Sequence, residues 1–243
     1  MSFNRNSSTR HRPRGIEILH DDRDMLVVNK APGVLTTGTR RDEAFTAENA
    51  LNHYVRKGSS CSVKHVYLVH RLDRETSGVL LFAKTEEAQQ RLKDNWKANE
   101  KLYLALVRGH LPQRQGLFSS HLAENEDLYV FSVADPSLGK LSQTEYAVIK
   151  ETSVVSAVKI RLLTGRKNQI RVHFTEAGHP VVGDPKYGRD DPYRKRLCLH
   201  AKSISFDHPY TGRRLFFDTP VPDEFARLAH GLTDAEWSST LFA

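Results

Sequence analysis

The densest polar cluster in the chain is His70-Arg-Leu-Asp-Arg-Glu-Thr-Ser-Gly78, and it stands between two apolar runs, Val66-Tyr-Leu-Val69 and Val79-Leu-Leu-Phe-Ala83. Both runs are short and rich in β-branched and aromatic residues, the composition of buried strands. A polar loop between two core strands has two readings. In one, Asp73 and Thr76 bond to nearby backbone amides and Gly78 supplies a permissive backbone, which makes the segment a capped turn. In the other, Asp73 is a carboxylate held at a cleft among cations. Composition alone leaves both open.

Outward from this loop the pattern is one of strands with a few helices. Upstream, Ile16-Glu-Ile-Leu19 and Met25-Leu-Val-Val28 flank the polar turn at 20–24 as a hairpin. Ala47, Ala50, Leu51, Tyr54 and Val55 recur at helical spacing, with Thr46 as cap and Gly58 as stop. Downstream, Thr85 caps a second helix whose first turn carries Glu86 and Glu87, where acids suit the dipole. Residues 101–108 form a strand apolar on both sides, with Leu102, Leu104 and Leu106 opposite Tyr103, Ala105 and Val107. Further strands are expected between 117 and 163, at 144–149 and 154–163 among others. Ile170, Phe174 and Ala177 give a helix over 167–177 that ends at Gly178. Strands over 197–206 and 215–217 and a helix over 223–232 complete the order. Adjacent strands outnumber helices and regular βαβ alternation is missing, so the class is α+β, in one unit over 15–243.

The 243 residues include 36 Lys plus Arg against 29 Asp plus Glu, a formal charge of +7. That charge is unevenly placed. Arg5, Arg10, Arg12 and Arg14 occupy residues 1–14 without an acid, and 152–175 hold five more cations without one. Residues 122–151 carry six acids against two lysines. Such polarisation suits a polyanionic partner. The 1–14 stretch, with Phe3 as its one large apolar residue, reads as a disordered basic tail. An electrostatic arm or a solvated tail fits it better than an organellar leader, which needs an apolar face. Two cysteines, Cys61 and Cys198, are too few for a disulfide framework or a zinc ribbon. No apolar run approaches the ~18–20 residues of a membrane helix. His65 and His70 fall on opposite faces of a strand, and neither His-x-x-x-His nor Cys-x-x-Cys occurs, so no metal is expected.

Four stretches decide between the two readings of the loop. His70-Arg-Leu-Asp73 with Thr76-Ser77-Gly78 comes first, and Lys101-Leu-Tyr-Leu-Ala-Leu-Val-Arg-Gly109 follows. Then come Thr164-Gly-Arg-Lys-Asn-Gln-Ile-Arg-Val-His173 and Gly178-His-Pro-Val-Val-Gly-Asp-Pro-Lys-Tyr-Gly188, with Leu199-His-Ala201 and His208-Pro209 beyond them. In this combination and order the chain resembles the RluA-type pseudouridine synthases, from about Ile16 to Phe225. The resemblance implies a mixed, mainly antiparallel central sheet in two halves flanking a basic active-site cleft, with a few peripheral helices. It implies Asp73 as the catalytic carboxylate, Arg171 as its ion-pair partner and Tyr103 as the ring that meets the base. Many members read Thr-His before the Gln of the arginine motif, where this chain has Lys167-Asn168. The arginine itself is present, and the departure bears on how its neighbours meet the RNA backbone.

The implied reaction breaks the N1–C1′ bond of a uridine, turns the detached base and joins C5 to C1′, with no redox change, cofactor or metal. Glycosidic cleavage develops oxocarbenium-like charge on the sugar, which a carboxylate stabilises or traps. Asp73 must be ionised to act, and a neighbouring cation keeps it so. Attack on C1′ and removal of a sugar proton are both open to it. Tyr103 offers a flat ring for uracil and a phenol that can move the C5 proton, although Tyr is also a common sheet residue. A stacked uridine hides its C1′ face, so the base must leave the stack. Arg166 and Lys167, at the start of the expected helix, and Arg74 are candidates to grip phosphates. Arg71 would fill the gap left by the flipped base, unless it pairs with Glu75. The expected partner is ribosomal or transfer RNA, met by a cytoplasmic monomer without a membrane or an obligate protein partner. Two other readings fit less well. A catalytically idle RNA-binding or chaperone protein on the same fold would not need Asp73, Tyr103 and Arg171 together. A small-molecule nucleoside glycosidase would not need the basic segments.

Overall fold

A computed structural model describes residues 13–38, 45–59 and 61–242. Most of the basic tail, residues 1–12, lies outside them. The sheet is built from β1 (Ile16–Asp21), β2 (Met25–Lys30), β3 (Tyr67–Leu68), β4 (Ser77–Ala83), β5 (Glu100–Arg108), β6 (Gln115–Glu124), β7 (Val130–Val133), β8 (Lys140–Glu151), β9 (Val155–Leu162), β10 (Leu199–Asp207) and β11 (Arg214–Asp218). They run in the order β1-β2-β4-β10-β5-β9-β8-β6-β7, with β3 on the edge of β4 and β11 on the edge of β10. Every neighbouring pair is antiparallel except β4 and β10. That pair meets over only His200↔Ser77 and Ala201↔Gly78, so the sheet has two halves joined at a short parallel seam. The expected mixed, mainly antiparallel sheet in two halves is what forms.

Gly78 makes the seam possible. Its φ is +114°, and a Cβ added there would lie 2.1 Å from the carbonyl oxygen of Ala201. An L side chain is excluded on both counts.

Helices cover both faces. Side-chain alternation sends Leu26, Val28, Leu80 and Phe82 to the front of one half, under α1 (Ala47–Val55), whose Ala47 and Leu51 join the same core. Tyr103, Ala105, Val158 and Ile160 face the front of the other half, under Ile170 and Phe174 of α3 (Gln169–Glu176). Behind, α2 (Glu86–Asp94) packs Ala88 and Leu92 on Met25, Val27 and Leu81. Phe225 of α4 (Asp223–Leu228) and Trp237 of α5 (Asp234–Ser239) cover Leu102, Leu104 and Leu106.

The caps behave as the sequence suggests: Thr46 accepts from the Asn49 amide and Thr85 from the Ala88 amide, both at 3.1 Å. Three expectations need correction. The strand over 66–69 is reduced to two residues, because β4 already pairs with β2 along its other edge and β3 touches only its end. The helix over 167–177 starts at Gln169, since Asn168 adopts a left-handed φ of 54°. The helix over 223–232 stops at Leu228, and His230 and Gly231 turn the chain with positive φ into the separate α5, whose capping box at Thr233 and Glu236 went unread.

Candidate active site

The loop between β3 and β4 is held by three side chains that bond to backbone, two of them reaching between it and the end of β2 or the segment after it. Lys30 is fully buried, and its Nζ donates to the carbonyls of Ala31, Val34 and Arg74 at 3.1, 2.8 and 3.1 Å. Burial pulls this ammonium down to about 8. Thr36 Oγ1 donates to the Leu72 carbonyl at 2.7 Å and accepts from the Leu72 amide at 3.1 Å. At the start of the loop, His70 Nε2 accepts from the Leu81 amide at 3.1 Å while its ring stacks on Trp96. Burial pushes that imidazole down to about 3, so it is neutral, with its proton on Nδ1. The backbone on either side of Asp73 is thereby fixed without any of these side chains touching its carboxylate.

Arg171 reaches the same place from α3. Its Nε and Nη2 form a two-pronged pair with Asp184 at 2.7 Å each, and its Nη1 lies 3.0 Å from Asn168 Oδ1 and 3.5 Å from Asp73 Oδ2. The guanidinium also sits over the Tyr187 ring, 5.1 Å from its centroid. Burial works against the charge, but the bonds and charge of Asp184 outweigh it, and the Arg171 pKa is raised. Asp184 in turn accepts the amides of Lys186 and Tyr187 at 2.9 and 3.0 Å. The expected Arg171–Asp73 contact is present, but Asp184 is the closer partner.

Tyr103 lies mid-sheet on β5, paired with Ala201 on one side and Ile160 on the other. Burial, and then the nearby Asp73 charge, raise its pKa, so the phenol stays protonated at neutral pH. Asp73, Tyr103 and Arg171 line one small open pocket of about 70 Å³, together with Arg71, Thr76 and Arg166.

The remaining candidates separate. Arg71 is exposed at the pocket rim and makes no ion pair with Glu75; Arg74 makes that pair, at 3.7 Å, and donates through Nε to the Gly33 carbonyl, away from the pocket. Lys167 is exposed and bonded to Glu124. Asp184, Lys30, Thr36 and Asn168 were not singled out as site residues. Asp184 lay in plain view inside Gly178–Gly188, and the Asn168 of the departing Lys-Asn pair proves to be an arginine ligand bonded through Nδ2 to the Tyr187 hydroxyl.

One group of side chains has ligand-like spacing: carboxylate and imidazole atoms of Asp22, Asp24 and His208 lie within 4.8 Å of one another. Asp22 is already engaged by the amides of Asp24 and Met25 at 2.8 Å and by His20 at 2.7 Å. Those bonds describe a turn, and the group shares none of the residues that line the pocket.

A carboxylate, a clamped arginine and a protonated phenol around one open pocket suit a reaction at a sugar carbon with proton movement on a base. The model of the RNA pseudouridylate synthase family matches residues 24–176, and the chain belongs to that family, in its RluA-type branch. It is 32% identical over 222 residues to an uncharacterized RNA pseudouridine synthase of Bacillus subtilis, covering 90% of this chain and 77% of that one. It is 34% identical over 235 residues to the ribosomal large subunit pseudouridine synthase C of Pasteurella multocida, covering 92% and 70%. The human RNA pseudouridylate synthase domain containing 1 superposes with a TM-score of 0.69 at 26% identity, over 94% of this chain and 99% of that one. The protein is therefore an isomerase that converts uridine to pseudouridine in RNA.

Proposed function

We propose that the chain modifies uridines of ribosomal RNA, with Asp73 as the catalytic carboxylate, Arg171 as its ion-pair partner and Tyr103 packed against the uracil. The observation that carries this reading is the 3.5 Å approach of Arg171 Nη1 to Asp73 Oδ2 in the pocket that also holds Tyr103. At that distance the guanidinium faces the carboxylate as an ion-pair partner without occupying all of its lone pairs. Asp73 then faces C1′ as the N1–C1′ bond breaks, and the freed uracil turns against the ring of Tyr103 before C5 joins C1′, after which C5 loses its proton to solvent and N1 carries one. The protonated Tyr103 hydroxyl is a hydrogen-bond donor to the base. In this reading Arg71, exposed at the rim, enters the stack vacated by the flipped base, and Arg166 takes a phosphate. Ribosomal RNA as target is supported by relatives named as ribosomal large subunit pseudouridine synthases C and D. The basic residues 1–14 add affinity without selectivity, and the enzyme works as a cytoplasmic monomer.

Tritium release from RNA labelled at C5 of uridine tests the chemistry. Wild type should release tritium and Asp73→Asn none; equal release would remove Asp73 from its role. Mapping pseudouridines in ribosomal and transfer RNA of cells with and without the gene tests the target.

A further inference from the structure

A second cavity opens on the other side of Arg166. It has a volume of about 460 Å³, within the range of ligand sites, and its walls include Leu122, Leu138, Lys140, Gly165, Arg166 and Lys167. Arg166 lines this groove and the pocket of Asp73 alike, so the two adjoin across one residue. That arginine is set in place: its amide donates to Gln169 Oε1 at 3.0 Å and its Nε to the Leu141 carbonyl at 3.3 Å. Gln169 is itself fixed by Thr164, Thr144 and the Gln143 carbonyl.

The groove combines apolar surface with uncompensated positive charge. Leu138 is 68% exposed, at the end of a short turn whose start is capped by Asp135 accepting from the Ser137 amide at 2.9 Å. Lys140 and Arg166 have no carboxylate within 4.0 Å among the described residues, whereas Lys167 is matched by Glu124. The groove is thus net positive although most of it belongs to the most acidic stretch of the sequence. A leucine held in water beside two unpaired cations matches a ligand that is flat and apolar on one part and anionic on another. A nucleotide is such a ligand.

We propose that this groove takes the nucleotide adjacent to the target uridine, its base against Leu138 and its phosphate on Arg166 and Lys140. The inference rests on the reading that the target uridine enters at Asp73. A strand leaving that pocket on this side passes Arg166 first, which places the connecting phosphodiester at the guanidinium. A base still stacked in a helix has both faces covered and cannot lie on Leu138. The substrate is therefore unpaired on at least one side of the target, as in a loop or bulge.

The test uses the full chain and a fluorescein-labelled nonauridylate carrying 4-thiouridine. Ultraviolet crosslinks should map to the segment 136–140. In anisotropy titrations across a salt series, Lys140→Ala should weaken binding and flatten the plot of log affinity against log salt by about 0.7, the value of one lost single-strand phosphate contact. Leu138→Ala should weaken binding about three- to five-fold at unchanged slope, the signature of a lost apolar contact. Both side chains are exposed, so the variants should melt like wild type. Crosslinks confined to 70–76, with wild-type affinity and slope in both variants, would overturn the groove assignment. Tritium release by Asp73→Asn would instead overturn the placement of the target, and is read independently of the groove.

Discussion

Two carboxylates share one arginine, and substituting each in turn should give opposite results. Asp184→Asn keeps the shape of the side chain but removes the charge. The Asp184 side chain is 0% exposed and that of Arg171 8%, and their two contacts are 2.7 Å long. The asparagine turns an NH₂ toward a guanidinium N–H, donor against donor, and leaves a buried cation with the more distant Asp73 as its remaining acid. Breaking a buried pair by removing one partner costs about 3–5 kcal/mol. Asp73→Asn is different in kind. Its contact is 3.5 Å and its side chain 26% exposed, so the loss should be about 1 kcal/mol or less. Urea unfolding followed by the fluorescence of Trp96 and Trp237 measures both. Tritium release, assayed where each variant is folded, should be abolished in Asp73→Asn. The reasoning fails if Asp184→Asn unfolds within about 1 kcal/mol of wild type, or if Asp73→Asn is the less stable of the two.

Gly78→Ala should abolish soluble folded protein or cost about 4 kcal/mol or more, because its Cβ would overlap the Ala201 carbonyl at the seam; a Gly78→Ala variant that melts like wild type refutes this. His200 and His173 are buried and held neutral, pushed down by burial to about 3 and about 4. The unfolded chain takes up protons at about 6.5, so this stability is complete above that pH and falls below it. The loss is about 2 kcal/mol per histidine between pH 6.5 and 5, and a melting temperature unchanged from pH 7.5 to 5 would contradict it. Tyr103→Phe should weaken RNA binding by no more than about ten-fold, the loss of one hydrogen bond while the ring remains; full tritium release in that variant would assign the residue to packing alone. Deleting residues 1–14, with four arginines, should reduce the salt slope by up to about 3 while single-turnover release at saturating RNA stays at wild type.

What could be read in the sequence follows from the range of the interactions. Thr46 and Thr85 were legible as caps because the groups they satisfy lie three residues away. Tyr103 was legible as a residue of a doubly covered strand from alternation alone. The seam was not: its single parallel step joins residues more than a hundred positions apart, and Gly78 in a polar loop looks the same whether it relaxes a turn or lets Ala201 approach. The same limit hid Asp184 and Lys30. Nothing local marks a carboxylate that will receive an arginine from another element, or a lysine in a strand that will cap three carbonyls. Asn168 was read as a departure from the common pattern, and its αL backbone and bond to Arg171 give that departure a structural use.

The arrangement around Asp73 answers two requirements that oppose each other. In the role proposed for it, the carboxylate must be positioned and charged, yet the tight charge-assisted bonds that would do both also engage the lone pairs that role needs. Here the positioning acts on backbone: Lys30 on the Arg74 carbonyl, Thr36 on both backbone groups of Leu72, and His70 on the Leu81 amide. The charge is supplied from a distance. Asp184 holds Arg171 by its Nε and Nη2 edge, so that Nη1 stands at 3.5 Å from Asp73 and cannot close to the 2.7 Å it keeps with Asp184. A guanidinium released from Asp184 would be free to swing onto Asp73 and bind it in the same two-pronged way. Asp184→Asn should therefore lose catalytic rate even where it is fully folded and Asp73 is intact, with RNA affinity little changed. An Asp184→Asn enzyme with the wild-type single-turnover rate would mean that the distance between Arg171 and Asp73 has no part in the chemistry.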